Sequence, residues 1–224
     1  MRTIEWVTAA RGGAVEIIDQ TALPHEVRRL TITTVDDLVA AIGRLAVRGA
    51  PALGAAGALG VLLAVQQGRD QGWSDGEVGR AVARVRAARP TAVNLARGVD
   101  RVAARRGAGF DAVEAEALAV LDEDVAANRA MAGRGADLLG EMCGRERDGG
   151  AGAGRLRLHT HCNAGALACV EVGTALGVVQ ALHERDRLDH VYVDETRPLL
   201  QGARLTTWEL DRMGAAYRLV VDGG

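Results

Sequence analysis

Between Arg155 and Asp222 short apolar runs of strand length alternate with longer runs of helical period. Arg155–Thr160, His190–Asp194 and Ala216–Asp222 read as strands, and Ala164–Leu182 and Gly202–Met213 read as helices between them. That order implies βαβ units, which place the strands side by side in a parallel sheet. The last strand, Tyr217-Arg-Leu-Val-Val221, is apolar on both faces and would form an uncovered edge.

The pattern upstream is different. Thr3–Thr8 and Ala14–Ile18, with Gly12-Gly13 between them, suggest a small hairpin. After Thr31–Thr33 the signal turns helical. Thr34 is an N-cap with Asp37 at the third helical position, opening a helix to about Val47. Arg48-Gly49-Ala50-Pro51 breaks it, and Pro51 suits the first turn of the next helix. Ser74 and Glu77 form a second capping pair, for a helix that must end before Pro90. Two more helices follow, near Thr91–Arg105 and Asp111–Gly140. Asp148-Gly-Gly-Ala-Gly-Ala-Gly154 reads as a linker. These boundaries give a mainly helical domain over 1–147, a Gly/Ala linker over 148–154 and an α/β domain over 155–224.

All 27 basic residues are arginine, so these 224 residues offer no lysine amine for a Schiff base, a pyridoxal phosphate or a P-loop. Any phosphate must be held by guanidinium forks and backbone N–H groups. A net charge of −2 gives no general reason to expect nucleic acid or an anionic membrane surface. Eight arginines crowd into Arg80–Arg106 and six acids into Asp111–Asp124, and the two sets are expected to neutralise each other. The N-terminus lacks a secretory h-region, and the apolar stretch Pro51–Gln66 is short for a membrane span. Three cysteines without a CxxC pair suggest neither a disulfide framework nor a zinc ribbon. Together these features lead to the expectation of a cytoplasmic protein.

Active sites of parallel sheets gather at the carboxyl ends of the strands. Three clusters fall there: His159-Thr-His161-Cys162-Asn163, Asp194-Glu195-Thr196-Arg197-Pro198, and Asp222. A cysteine at a helix N-terminus has a favoured thiolate, and an aspartate at a strand end is a ready acid or base. Each has a plainer alternative, since a lone cysteine is more often a small core residue and Asp222 could be a solvated carboxylate. His159 and His161 alternate on one strand like metal ligands, but no third ligand is evident.

Arg48-Gly-Ala-Pro-Ala-Leu-Gly54, Arg89-Pro-Thr-Ala-Val-Asn-Leu95, Thr160-His-Cys-Asn163 and Asp194-Glu-Thr-Arg-Pro-Leu-Leu-Gln-Gly-Ala-Arg-Leu-Thr206 occur here in the order found in methylthioribose-1-phosphate isomerases. Arg2-Thr-Ile-Glu-Trp6 and Asp19-Gln-Thr21 resemble that family too. The resemblance spans essentially the whole chain, and its thirteen-residue run is the most specific part. It implies a truncated Rossmann-like α/β domain behind the helical one, and an aldose–ketose isomerase of methionine salvage that uses neither metal nor cofactor. It implies that Arg48, Gly49, Ala50, Arg89 and Gln201 contact a sugar phosphate. Cys162 would stabilise the transition state, and Asp222 would be the proton donor. A homodimer is the implied assembly, with no nucleic-acid or membrane partner.

The chemistry fits this set. Phosphate blocks the anomeric oxygen, so the ring oxygen must be protonated by an acid, which calls for an aspartate of raised pKa in a dry pocket. Family members carry Asn-Met or Ser-Met after that aspartate, then a GADR-like segment and an Asn-Lys pair, where this chain has Gly223-Gly224. His159 and Glu171 also depart from the family pattern. A chain ending at the third strand is expected to self-associate and to be inactive. Two alternatives share the ancestry: an isomerase of ribose 1,5-bisphosphate type, and a non-catalytic relative of the regulatory subunits of the initiation-factor exchange complex.

Overall fold

A computed structural model describes residues 1–9, 12–145 and 154–222. Its contacts separate into two units, Met1–Val125 with Leu167–Glu171, and Ala126–Ala166 with Val172–Gly224.

The first unit opens with β1 (Ile4–Ala9), β2 (Gly12–Ile18) and β3 (Arg29–Ile32), an antiparallel sheet with β2 in the middle. The hairpin is where the sequence placed it. The third strand is an addition, four residues too short to announce itself. Alternation puts Ile4, Val15, Ile17 and Ile32 into the core. On the outer face Arg29 pairs with Glu5 and Glu16, a cross-strand charge arrangement.

Helix α1 (Val35–Gly43) starts where Thr34 accepts the Asp37 N–H at 3.2 Å. It stops short of Val47 because Leu45 turns left-handed at φ 66°, which tucks Ala46 and Val47 into the core. Helix α2 (Ala50–Gln71) carries Pro51 in its first turn and ends at left-handed Gly72. It is long and apolar enough to cross a membrane by length and composition, yet 67% of its most apolar window is buried inside the protein. It is the central helix of this core, longer than the apolar run suggested.

Helix α3 (Asp75–Ala87) begins in the full Ser74–Glu77 capping box, and α4 (Val93–Ala103) packs along α2. Gly98 is where their backbones meet, since a β-carbon there would collide with the Gly54 carbonyl oxygen. Arg101 and Arg105 pair with Glu116 and Glu123 of the acidic run, as expected, whereas Arg84, Arg86 and Arg106 find their carboxylates elsewhere, on Asp36, Asp100 and Asp75.

Helix α5 (Phe110–Arg145) serves both units. Val113, Ala117, Leu121 and Val125 enter the first core, whereas Ala136 and Leu139 pack in the second. The contact boundary therefore lies inside a helix, not after residue 147. Most of the expected linker, 148–153, falls outside the described residues.

The second unit holds β4 (Leu156–His161), α6 (Ala175–Glu184), β5 (Leu188–Asp194), α7 (Thr207–Met213) and β6 (Tyr217–Val220). The strands are parallel in the order β4-β5-β6, as the βαβ pattern required. Leu176, Val179, Leu182, Val191, Val193 and Leu210 form the core on one face. At the edge strand and just past it, Leu219 and Val221 are 43% and 71% exposed.

The helix expected from Ala164 begins only at Ala175. Backbone groups of the intervening segment are taken by the first unit. Thr3 donates its N–H to the Val170 carbonyl at 2.8 Å and its hydroxyl to the Cys169 carbonyl at 2.7 Å. Gln20 Nε2 donates to the Leu167 carbonyl at 2.7 Å, and Asp124 accepts the Val170 N–H at 3.0 Å. Carbonyls and amides used in this way cannot also close helical turns.

Candidate functional site

In the second unit the strand register aligns the three polar clusters. His161 stands opposite Asp194, and Asp194 opposite Val220, so Cys162, Glu195 and Asp222 follow neighbouring strand ends on one edge of the sheet.

Cys162 is a half-buried free thiol in a left-handed turn at φ 59°. It does not start a helix, so the helix-dipole argument for its thiolate does not hold. Its carbonyl accepts the Thr206 hydroxyl at 2.5 Å. Asn163 Nδ2 donates to Thr206 Oγ1 at 3.2 Å and to Glu209 Oε1 at 2.8 Å. The Ala166 N–H donates to Glu209 Oε2 at 2.6 Å.

The loop after β5 is organised by the buried carboxylate of Glu195. It accepts the N–H groups of Thr196 at 2.7 Å, Gly202 at 3.1 Å and Ala203 at 3.1 Å. Those bonds open a π turn over Gly202–Thr206 that runs on into α7. Gln201 caps it, and its Oε1 is enclosed with no hydrogen-bond partner among the described residues. A buried acceptor left unpaired costs ~1–3 kcal/mol, so this oxygen is poised for a donor.

Asp222 does not have the surroundings of a proton donor. It is exposed, Arg197 Nε donates to it at 2.5 Å, and that contact holds its carboxyl below its ordinary value. Paired with Arg197 in this way, the Asp222 carboxyl is favoured in its ionised form, the opposite direction to the raised pKa that ring protonation calls for.

His159 Nε2 lies 2.6 Å from Asp194 Oδ1, and His161 Nδ1 lies 3.5 Å from Oδ2. Both rings are exposed, and among the described residues no group of three His, Cys, Asp or Glu side chains is placed to hold a metal ion.

The first unit holds Arg48, Gly49, Ala50 and Arg89. Arg48 is half-buried and lies two residues before α2, whose first turn has neither an acidic residue nor a side-chain cap. Gly49 sits at φ 98°, where a β-carbon would overlap Ala168. Ala50 is the first residue of α2. The segment before Arg48 is fixed by its neighbours. Asp19, 1% exposed, accepts Arg44 Nη1 and Nη2 at 3.0 Å each, and the Gln20 N–H donates to the Ala46 carbonyl at 3.0 Å. Burial pushes the Asp19 carboxyl up, but hydrogen bonds from Thr21 and Arg44 outweigh it and leave the pKa lowered. Arg89 lies in the turn between α3 and α4, where its carbonyl accepts the Ala92 N–H at 3.0 Å.

The structure thus gathers Cys162, Gln201 and Asp222 along one sheet edge, and sets Arg48 and Arg89 near the starts of two packed helices. Sequence reasoning missed Glu209, and gave Thr206 no role beyond closing the family run. An acid and a hydroxyl three residues apart on a helix carry no local mark of function.

A family model described as the initiation factor 2 subunit family matches residues 46–223. A probable bifunctional methylthioribose-1-phosphate isomerase/methylthioribulose-1-phosphate dehydratase of Nocardia farcinica is 51% identical over 94% of this chain and 37% of its own length. A solved 5-methylthioribose 1-phosphate isomerase from Pyrococcus horikoshii OT3 is 33% identical with a TM-score of 0.84, over 99% of this chain and 60% of that one. A solved delta subunit of translation initiation factor eIF-2B from A. fulgidus is 37% identical with a TM-score of 0.83, over 100% of this chain and 63% of that one. The chain therefore spans less than two thirds of the length of each of these relatives.

Proposed function

The chain belongs to the initiation factor 2 subunit family, and from that premise we propose that it acts as an aldose–ketose isomerase. Its substrate would be 5-methylthioribose 1-phosphate and its product 5-methylthioribulose 1-phosphate, a step of methionine salvage. The names of its relatives in Nocardia and Pyrococcus support this reading. The observation that carries it is the enclosed Gln201 oxygen within the thirteen-residue run, an acceptor with no hydrogen-bond partner among the described residues and suited to a sugar hydroxyl.

The proposed roles follow from the chemistry of the substrate. Its phosphate sits on the guanidinium of Arg48 and the free N–H groups at the start of α2, where the dipole of a 22-residue helix favours an anion. Arg89 supplies the second fork. The bond from C1 to the ring oxygen breaks as that oxygen takes a proton. Hydrogen then moves from C2 to C1, and the C2 hydroxyl gives up its proton to become the ketone. Reduction at C1 balances oxidation at C2, so no external redox partner is consumed. Cys162 is the group proposed to stabilise the transition state. Asp222 serves as the acid only if the substrate displaces Arg197 from it. A cytoplasmic homodimer is the setting this proposal assumes.

The test is turnover of 5-methylthioribose 1-phosphate by this chain, with calorimetric binding of the ketose product alongside. Ribose 1,5-bisphosphate serves as the competing substrate. Tight product binding with turnover supports the reading, and preference for the bisphosphate would reassign the substrate. Failure to bind any sugar phosphate would sink it. In that event the likeness to the A. fulgidus delta subunit favours a regulatory binding protein instead.

A further inference from the structure

We propose that Glu209 is a positioning residue: through Asn163 and the Ala166 amide it holds the turn that presents the Cys162 thiol. This rests on the reading of Cys162 as a group that meets the substrate.

A cysteine at φ 59° occupies backbone space that favours glycine, at ~1–3 kcal/mol, and such a conformation persists only where its surroundings over-determine it. Here they do so from one short stretch of chain. Thr206 donates to the carbonyl of Cys162 itself, Glu209 Oε1 accepts from the side chain of the next residue, and Glu209 Oε2 accepts the amide of Ala166. Asn163 also donates to Thr206, which ties the two anchors together. Gly165 lies between the anchored points, and a β-carbon there would run into both Glu209 oxygens. The turn hangs from α7 and the π turn before it.

These anchors are dry. Thr206, Glu209 and Asn163 are 0%, 4% and 6% exposed, so water cannot replace a lost bond without a rearrangement. An acid kept only to fill the core would be a poor choice, because burying a carboxylate costs more than burying an apolar side chain of similar size. What the acid supplies here is two acceptors with a fixed spacing, matched to two donors on either side of Gly165. A leucine cannot do that, and a glutamine can satisfy only one of them.

The experiment measures how fast iodoacetamide alkylates Cys162 in the intact chain, read by peptide mass spectrometry with Cys143 as the internal reference. Glu209→Gln turns an amide N–H toward a donor, and Thr206→Val removes the hydroxyl that grips Cys162 at nearly constant volume. Each should raise the Cys162-to-Cys143 ratio roughly tenfold, while Thr206→Ser should stay within about twofold of the parent. An unchanged ratio in Glu209→Gln overturns the proposal, as does a Thr206→Ser variant as altered as Thr206→Val. If Glu209→Gln does not fold, Asn163→Ala, which removes the amide that donates to Glu209 Oε1, takes its place: a raised ratio supports the proposal and an unchanged one overturns it. Turnover gives a second reading, with kcat expected to fall roughly tenfold in Glu209→Gln at near-constant KM. A rise in KM with kcat preserved overturns positioning in favour of binding. Normal turnover by Cys162→Ser would remove the isomerase role of the thiol, and the alkylation result would still decide what Glu209 does.

Discussion

Gly49→Ala is the sharpest test of how the loop before α2 is built. Gly49 is at φ 98°, which costs a residue with a β-carbon ~1–3 kcal/mol. The added methyl would also overlap the backbone of Ala168, in a segment tied down by Gln20 at Leu167 and by Thr3 at Cys169. Overpacking against a neighbour that cannot yield adds about 1–3 kcal/mol. The combined loss is ~2–6 kcal/mol, and at roughly 2–4 °C per kcal/mol for a chain of this size the midpoint should fall by about 4–24 °C.

Gly43→Ala is the matched control. Gly43 is the exposed last residue of α1 with nothing within 4 Å of an added β-carbon. Alanine is the better helix former by ~1 kcal/mol, so the control should hold or gain stability. Thermal unfolding followed by far-ultraviolet dichroism at one pH gives both numbers. Equal midpoints for the two variants would refute the argument, because the chemical change is identical and only the position differs.

Cys162→Ser should lower turnover far more than product affinity, and Cys143→Ser should leave both unchanged; kinetics beside calorimetry separates the two effects. Arg48→Lys and Arg89→Lys should each weaken product binding about tenfold, since an ammonium does not reproduce a planar fork, and unchanged titrations in both would return these arginines to the fold. Asp19→Asn should cost about 2 kcal/mol near neutral pH by removing a charged acceptor from a buried site. Because the folded pKa of Asp19 is lowered, its stabilisation is full above the ordinary value of 3.8 and fades as pH falls through the folded one. Urea curves of parent and variant should therefore converge in acid, and a gap independent of pH would contradict the ion pair. Arg197→Ala should let the Asp222 carboxyl climb back toward its ordinary value, which carbon-detected titration would follow; no movement would mean Arg197 does not set it.

Local chemistry was legible in the sequence. The Thr34–Asp37 and Ser74–Glu77 caps, Pro51 in a first turn and the βαβ order are all set by residues a few positions apart, and each stands in the structure. The failure at Ala164–Thr174 has the opposite origin. Its backbone bonds go to Thr3, Gln20 and Asp124, far away in the chain, and nothing between Ala164 and Thr174 shows it. The site was legible only in part. Arginine as the sole cation pointed to guanidinium anchors, but Gln201 and Cys162 stood out through the family run. The Arg197 contact that reverses the expectation for Asp222 lies 25 residues away on another strand connection.

The return of Leu167–Glu171 to the first unit also bears on how the chain is made. Val170 is fully buried in the first core, which therefore stays open until that residue has been synthesised. At about 5–20 residues per second the ribosome needs roughly two to nine seconds to travel from Val125 to Glu171. During that interval the carbonyl partners of Thr3 and Gln20 do not yet exist outside the exit tunnel. The first unit therefore cannot close before synthesis of the second is under way, so their folding overlaps in time.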